Sequence, residues 1–108
     1  MKIRPVYNSR IPKLLKVGAI TLYPFIFFAE NKNAVTERLH KHEMIHVSQI
    51  RELGMIRFYF SYLRQYWSRR WEGMGHWRAY HSISFEAEAY KNQYKPLTLA
   101  ERKELALC

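Results

Sequence analysis

Between Thr36 and Gly54 the apolar positions recur with a helical period. Leu39, Ile50 and Leu53 fall on one stripe, and His42 and His46 share it. Arg38, Lys41, Ser48 and Glu52 fall mainly on other faces. Thr36 suits the N-cap, Glu37 sits at the positive end of the helix dipole, and Gly54 is a natural residue to end on. The pattern therefore predicts a helix whose two histidines point inward.

A second helix is expected over Met55–Trp71. It is aromatic nearly all round, with Phe58, Tyr59, Phe60, Tyr62, Tyr66, Trp67 and Trp71, and arginines 57, 64, 69 and 70 interleave. Gly73 and Gly75 break it. A third helix reads over residues 84–93, closed by Pro96, and Thr98 with Glu101 forms a capping-box pattern that opens a short helix to about residue 107.

Upstream, residues 1–16 carry Pro5 and Pro12 and read as an extended arm, with a short strand at residues 3–7. Residues 18–29 (GAITLYPFIFFA) are rich in β-branched and aromatic side chains and predict one or two strands. Pro24 lacks an N–H and belongs on an edge or at a bulge. Asn31 and Asn33 mark a turn. The sum is a single α+β domain over residues 1–108, mostly helical, with a small N-terminal β-ribbon or sheet.

Composition narrows the picture. An apolar content of 48% supports a real core and argues against disorder. The single cysteine, Cys108, excludes an intrachain disulfide framework and a cysteine-rich zinc site, and it fits a reducing, cytoplasmic setting. No apolar run reaches the ~18 residues a membrane helix needs. Residues 17–29 follow a basic segment, as in a signal peptide, but Pro24 and the long polar stretch before it argue against one. The net charge is +9, and all nine acidic residues are glutamate. Such a surface can attract nucleic acid, anionic lipid or an acidic protein, but the lysines and arginines are scattered rather than blocked, so an ordinary solvated basic surface is the first reading.

The chemistry concentrates in His42-Glu43-Met44-Ile45-His46, an HExxH pentapeptide on the first helix. Histidines at i and i+4 project from one face and can reach a single tetrahedral Zn²⁺. The intervening Glu43 lies beside the metal, placed to act as general base on a metal-bound water. The bland alternative is two buried histidines satisfied by polar neighbours.

A catalytic zinc site needs a third protein ligand. The metzincin extension requires glycine at position 49 and histidine at 52, where this chain has Gln49 and Glu52. With no aspartate in the chain, a glutamate, His76 or His81 remains. Glu86, in Ser84-Phe85-Glu86-Ala87-Glu88-Ala89-Tyr90, is the best candidate. Ala87 and Ala89 let its helix pack closely, and a carboxylate near a core is costly unless coordinated. Glu86 and Glu88 lie two apart, so only one can face the metal, and both are also ordinary helix-start residues.

These residues resemble the gluzincin-type metalloproteases, the HExxH-plus-glutamate class that includes thermolysin-like and minigluzincin peptidases. The resemblance rests on HEMIH at 42–46, Gln49, Glu52-Leu53, FYFSYL at 58–63 and SFEAEAY at 84–90, and covers about residues 18–93. It is similar in particular to small bacterial or phage proteins of peptidase type. The resemblance implies a minimal zincin-like domain that hydrolyses peptide bonds of a peptide or protein substrate. It implies His42, His46 and Glu86 as Zn²⁺ ligands, Ala89 as the alanine of the ExxA pattern, and Glu43 as the catalytic base. The family often has an aspartate next, which orients a ligand histidine; here the residue is Tyr90. Residues Phe25–Phe28 stand where the family's substrate-pairing edge strand is expected, or form an ordinary core strand. Tyr80, His81 and Tyr90 are candidate transition-state donors, and no spacing rule chooses among them.

Two rivals stand beside the peptidase. One is a degenerate zincin scaffold that binds a partner without hydrolysis. The other is a basic membrane-surface or nucleic-acid binder in which the pentapeptide is incidental. The aromatic helix carries the same choice: core packing first, with Phe58, Tyr62 and Leu63 buried and Arg57, Arg64 and Arg69 in water; then peripheral membrane contact; then nucleic acid. No specific nucleic-acid motif is present, and the oligomeric state is open.

Overall fold

The computed structural model describes residues 2–107; Cys108 lies outside them. The architecture is α+β, with a three-stranded mixed sheet at the N-terminal end and a helical remainder.

Strand β1 (Arg4–Val6) leads through a short helix α1 (Arg10–Leu14) to the hairpin of β2 (Ala19–Leu22) and β3 (Phe25–Phe28). β1 pairs parallel with β3 and β2 pairs antiparallel with it, so the order is β1-β3-β2. Of the two readings of residues 25–28, the structure shows the core strand: this stretch is central, so the edge beside the helices is β2. Phe28 and Ile26 are fully buried, and that apolar load drives β3 to the middle of the sheet. Pro24 occupies the turn between β2 and β3, where its missing N–H costs no ladder bond.

The expected arm at residues 1–16 contains α1. Ser9 caps it by accepting from the Ile11 N–H, and Pro12 sits in its first turn, where a missing donor is harmless.

The long helix α2 (Glu37–Leu53) begins and ends as its sequence requires. Thr36 Oγ1 accepts from the Leu39 N–H at 3.1 Å, and Gly54 takes φ 95°, a left-handed conformation that a side chain would strain. Gly54 alone joins α2 to α3 (Met55–Trp71). A helix α4 (His76–Ser82), not expected from the sequence, precedes α5 (Ser84–Asn92) and the short α6 (Leu99–Glu104). α4 spans seven residues and buries Ala79, too few apolar positions to display a period.

The core joins the sheet to α2 and the C-terminal segment through Ile3, Ile26, Phe28, Met44, Val47, Leu97 and Leu105. Within α5, Ala89 packs inward as expected, while Ala87 is exposed. In α3, Phe58 is buried and Tyr62 half-buried, but Leu63 is 56% exposed, contrary to expectation. Among the described residues, no helix is long and apolar enough to cross a membrane.

Candidate metal centre

His42 and His46 lie one turn apart on the inward face of α2, and both are buried. Glu86, in the first turn of α5, is buried opposite them. Its Oε1 lies 3.0 Å from His42 Nε2 and 3.1 Å from His46 Nε2. The structure thus brings together the two expected histidines and the expected carboxylate in one group, their donor atoms all within 4.8 Å of one another.

The rings are held from behind. His42 Nδ1 lies 2.8 Å from Gln93 Oε1, and His46 Nδ1 lies 2.8 Å from Gln49 Oε1. Gln49 cannot be turned over, because its Nε2 donates to the Phe85 carbonyl at 3.1 Å and to Glu88 Oε1 at 2.9 Å. An amide oxygen only accepts, so each Nδ1 carries the proton. A neutral ring then directs a lone pair from Nε2 at Glu86 Oε1. Two lone pairs facing an anionic oxygen repel unless a cation or an added proton lies among them. This donor set fits a divalent metal. A tetrahedral ion with bonds of ~2.0–2.1 Å would hold its ligand atoms roughly 3.3 Å apart, close to the spacing seen here.

Without an ion, protons take up the strain. Burial opposes charge on His46, but the Glu86 hydrogen bond and the nearby Glu43 and Glu86 carboxylates push it up to about 9. Burial likewise opposes charge on Glu86, yet hydrogen bonds from His42 and His46 hold its carboxyl well below the usual range. Tyr62 adds a third donor, its Oη 2.5 Å from Glu86 Oε2.

Glu43 stands apart from the three donors. It is buried, and its Oε1 accepts from Thr21 Oγ1 of β2 at 2.8 Å. Two cavities meet its carboxylate. One, of about 560 Å³, is walled chiefly by apolar side chains of β2 and α3 and reaches His46 and Glu86. The other, of about 320 Å³, reaches His42 and Gln93 and includes Lys16 and Arg38. Tyr80 lines both. Burial, then the Glu86 charge, raises the Tyr80 and Tyr62 hydroxyls far above the ordinary tyrosine value, so both remain donors.

The other candidates sit outside the donor group. His76 Nδ1 pairs with Tyr66 Oη at 2.8 Å. His81 is exposed and packs on Tyr90 at 4.7 Å between ring centroids, and Tyr90 in turn packs on His42 at 4.7 Å. Glu88 faces Gln49 rather than the histidines. Where the resembled family orients a histidine with aspartate, Gln93 stands behind His42 and Tyr90 covers its face.

The sequence reading did not assign Thr21, Tyr62 or Gln93. Gln93 was findable, since it lies seven residues beyond Glu86 on the same helical face. Thr21 and Tyr62 come from other elements, and no local spacing marks them. Compared with protein-family models, with curated proteins and with solved structures, the chain matches none.

Proposed function

We propose that the chain is a zinc-dependent metallopeptidase of the gluzincin kind, with His42, His46 and Glu86 as ligands and Glu43 as general base. The observation that carries this reading is the convergence of two ring nitrogens and one carboxylate oxygen, each ring fixed from behind by a glutamine. Two nitrogens and one oxygen from the protein suit zinc and leave a coordination position for water or substrate. Bound there, Zn²⁺ supplies Lewis acidity, which polarises a carbonyl and lowers the pKa of water.

The chain's own residues supply the proton transfers. Glu43 Oε1 is held by Thr21, which fixes the carboxylate plane and leaves Oε2 to take a proton from the attacking water. The water oxygen adds to the carbonyl carbon, the C–N bond breaks, and Glu43 returns the proton to the departing amine. The Tyr80 hydroxyl, kept protonated and facing both cavities, donates to the carbonyl oxygen as it gains charge. β2 is the sheet edge on the cavity side; the Tyr59 hydroxyl already donates to the Thr21 carbonyl and accepts from the Tyr23 N–H, so an extended peptide adds along the Ala19 end, with apolar side chains entering the larger cavity.

Metal analysis of the purified protein tests the reading first. One zinc per chain is expected, lost in His46→Ala and retained in Glu43→Gln. On a fluorogenic peptide library, Glu43→Gln should lower kcat by at least about 10²-fold. Zinc content unaffected by His46→Ala, or full hydrolysis by Glu43→Gln, would overturn it.

A further inference from the structure

Apart from Leu63, which lines the larger cavity, the outward face of α3 takes no part in the site. Ile56, Phe60, Leu63, Trp67 and Trp71 follow one another at steps of four, three, four and four residues. At about 100° per residue they fall in a stripe roughly 80° wide. All five are 56–93% exposed. Trp77 of α4, also exposed, extends this surface through ring contacts that run from Trp67 by way of Tyr66 and His76. An apolar surface this continuous on a folded chain marks a contact face.

Its borders say what it contacts. Exposed Arg57 and Arg64 run along one side of the stripe and Arg70 along the other, and α3 contains no acidic residue. A second copy of the chain, packed antiparallel through this stripe, would bring arginine rows against arginine rows with no carboxylate on α3 to answer them. A nucleic acid would answer the guanidinium groups but leave Ile56 and Leu63, which have no π-face for a base, in water. A bilayer rich in anionic lipid answers both. Aliphatic and aromatic side chains enter the acyl boundary, indoles sit at headgroup depth, and guanidinium groups meet lipid phosphates and carboxylates. The net charge of +9 favours the same surface.

We propose that α3 docks the molecule flat on an anionic membrane surface, with Phe60, Trp67 and Trp71 as its apolar anchors and Arg57, Arg64 and Arg70 as its charge contacts. Leu63 also lines the larger cavity, so docking sets that cavity beside the lipid. The proposal rests on α3 and holds whether or not the metal site hydrolyses anything.

All three tryptophans of the chain, Trp67, Trp71 and Trp77, lie on this face, so intrinsic emission reports on it without a label. The full chain is titrated with phosphatidylcholine vesicles, with and without phosphatidylserine. Phosphatidylserine vesicles should move the emission to shorter wavelength, and brominated acyl chains should quench it. Changing Arg57, Arg64 and Arg70 to Gln should lower partitioning by about five-fold per residue. Phe60→Ser should weaken it with far-UV circular dichroism unchanged, since the removed ring is exposed. The proposal is overturned by emission that phosphatidylserine vesicles leave unmoved. It is equally overturned by a shift that appears with an oligonucleotide and not with vesicles, or by a lipid-free shift that tracks dimer formation in ultracentrifugation.

Discussion

At the scale of single residues, the site depends on groups that never touch a ligand. Gln93 and Gln49 decide which ring nitrogen of each histidine carries the proton, and so which one can coordinate. Removing such a partner typically weakens metal affinity by about 10–100-fold. Gln93→Ala is therefore expected to fall in that range in a competition titration against a chromophoric chelator. Gln93→Glu, which still accepts the Nδ1 proton, should bind zinc much better than Gln93→Ala. Equal affinities in the two variants would mean that the amide oxygen does not set the tautomer. The histidine pair was legible in the sequence because one helix supplies both at fixed spacing. Glu86 was legible because a carboxylate next to small residues at a helix start asks for a partner. Thr21 and Tyr62 were not, being 22 and 24 residues from the carboxylates they hold. Only the packing of β2 on α2, and of α3 on α5, brings them there.

At the scale of elements, legibility followed the strength of the end signals. α2 and α3 were bounded correctly because Thr36 and Gly54 act on the backbone itself, through a cap and a left-handed turn. α1 and α4 were missed because five and seven residues display too little period for a pattern to register. Residues 25–28 stayed open between edge and core strand because strand order depends on which strands pair on either side, a property of the assembled sheet. α6 offers a test of what holds a short element. Three ion pairs tie it to α2: Lys41–Glu101 at 2.8 Å, Arg51–Glu104 at 2.7 Å, and Arg102–Glu37. Beyond its C-terminal end, Leu105 is fully buried in the core. Part-exposed pairs contribute at most about 1 kcal/mol each, while a buried leucine truncated to alanine costs about 2–5 kcal/mol. Urea denaturation should therefore rank Leu105→Ala as far more destabilising than Glu104→Ala. A reversed order would mean that charge, and not burial, anchors α6.

At the scale of the whole molecule, the metal state should invert the pH dependence of stability. In chelated protein His46 titrates near 9, against about 6.5 in an unfolded chain. A folded pKa above the unfolded one stabilises fully below about 6.5, and that contribution is lost as pH rises through about 9. Glu86, held low, contributes above the unfolded carboxylate value of about 4.3 and loses that contribution as pH falls. With zinc bound, His46 must be unprotonated, so stability should instead rise with pH across the histidine range. Thermal midpoints measured between pH 6 and 9, with chelator and with zinc, should run in opposite directions (about three pH units of range suffice). Parallel trends would remove His46 from the metal site. The site also has a meaning in polymer terms. His46 and Glu86 stand 40 residues apart, and α3 and α4 make up most of the segment between them. An ion gripping both residues would be a clasp on that loop, and a link that closes a loop of this length and persists on unfolding removes about 4 kcal/mol of freedom from the unfolded chain. The segment that carries the arginine-bordered stripe is thus fastened at both ends where His46 meets Glu86, and an ion bound there would tighten the fastening.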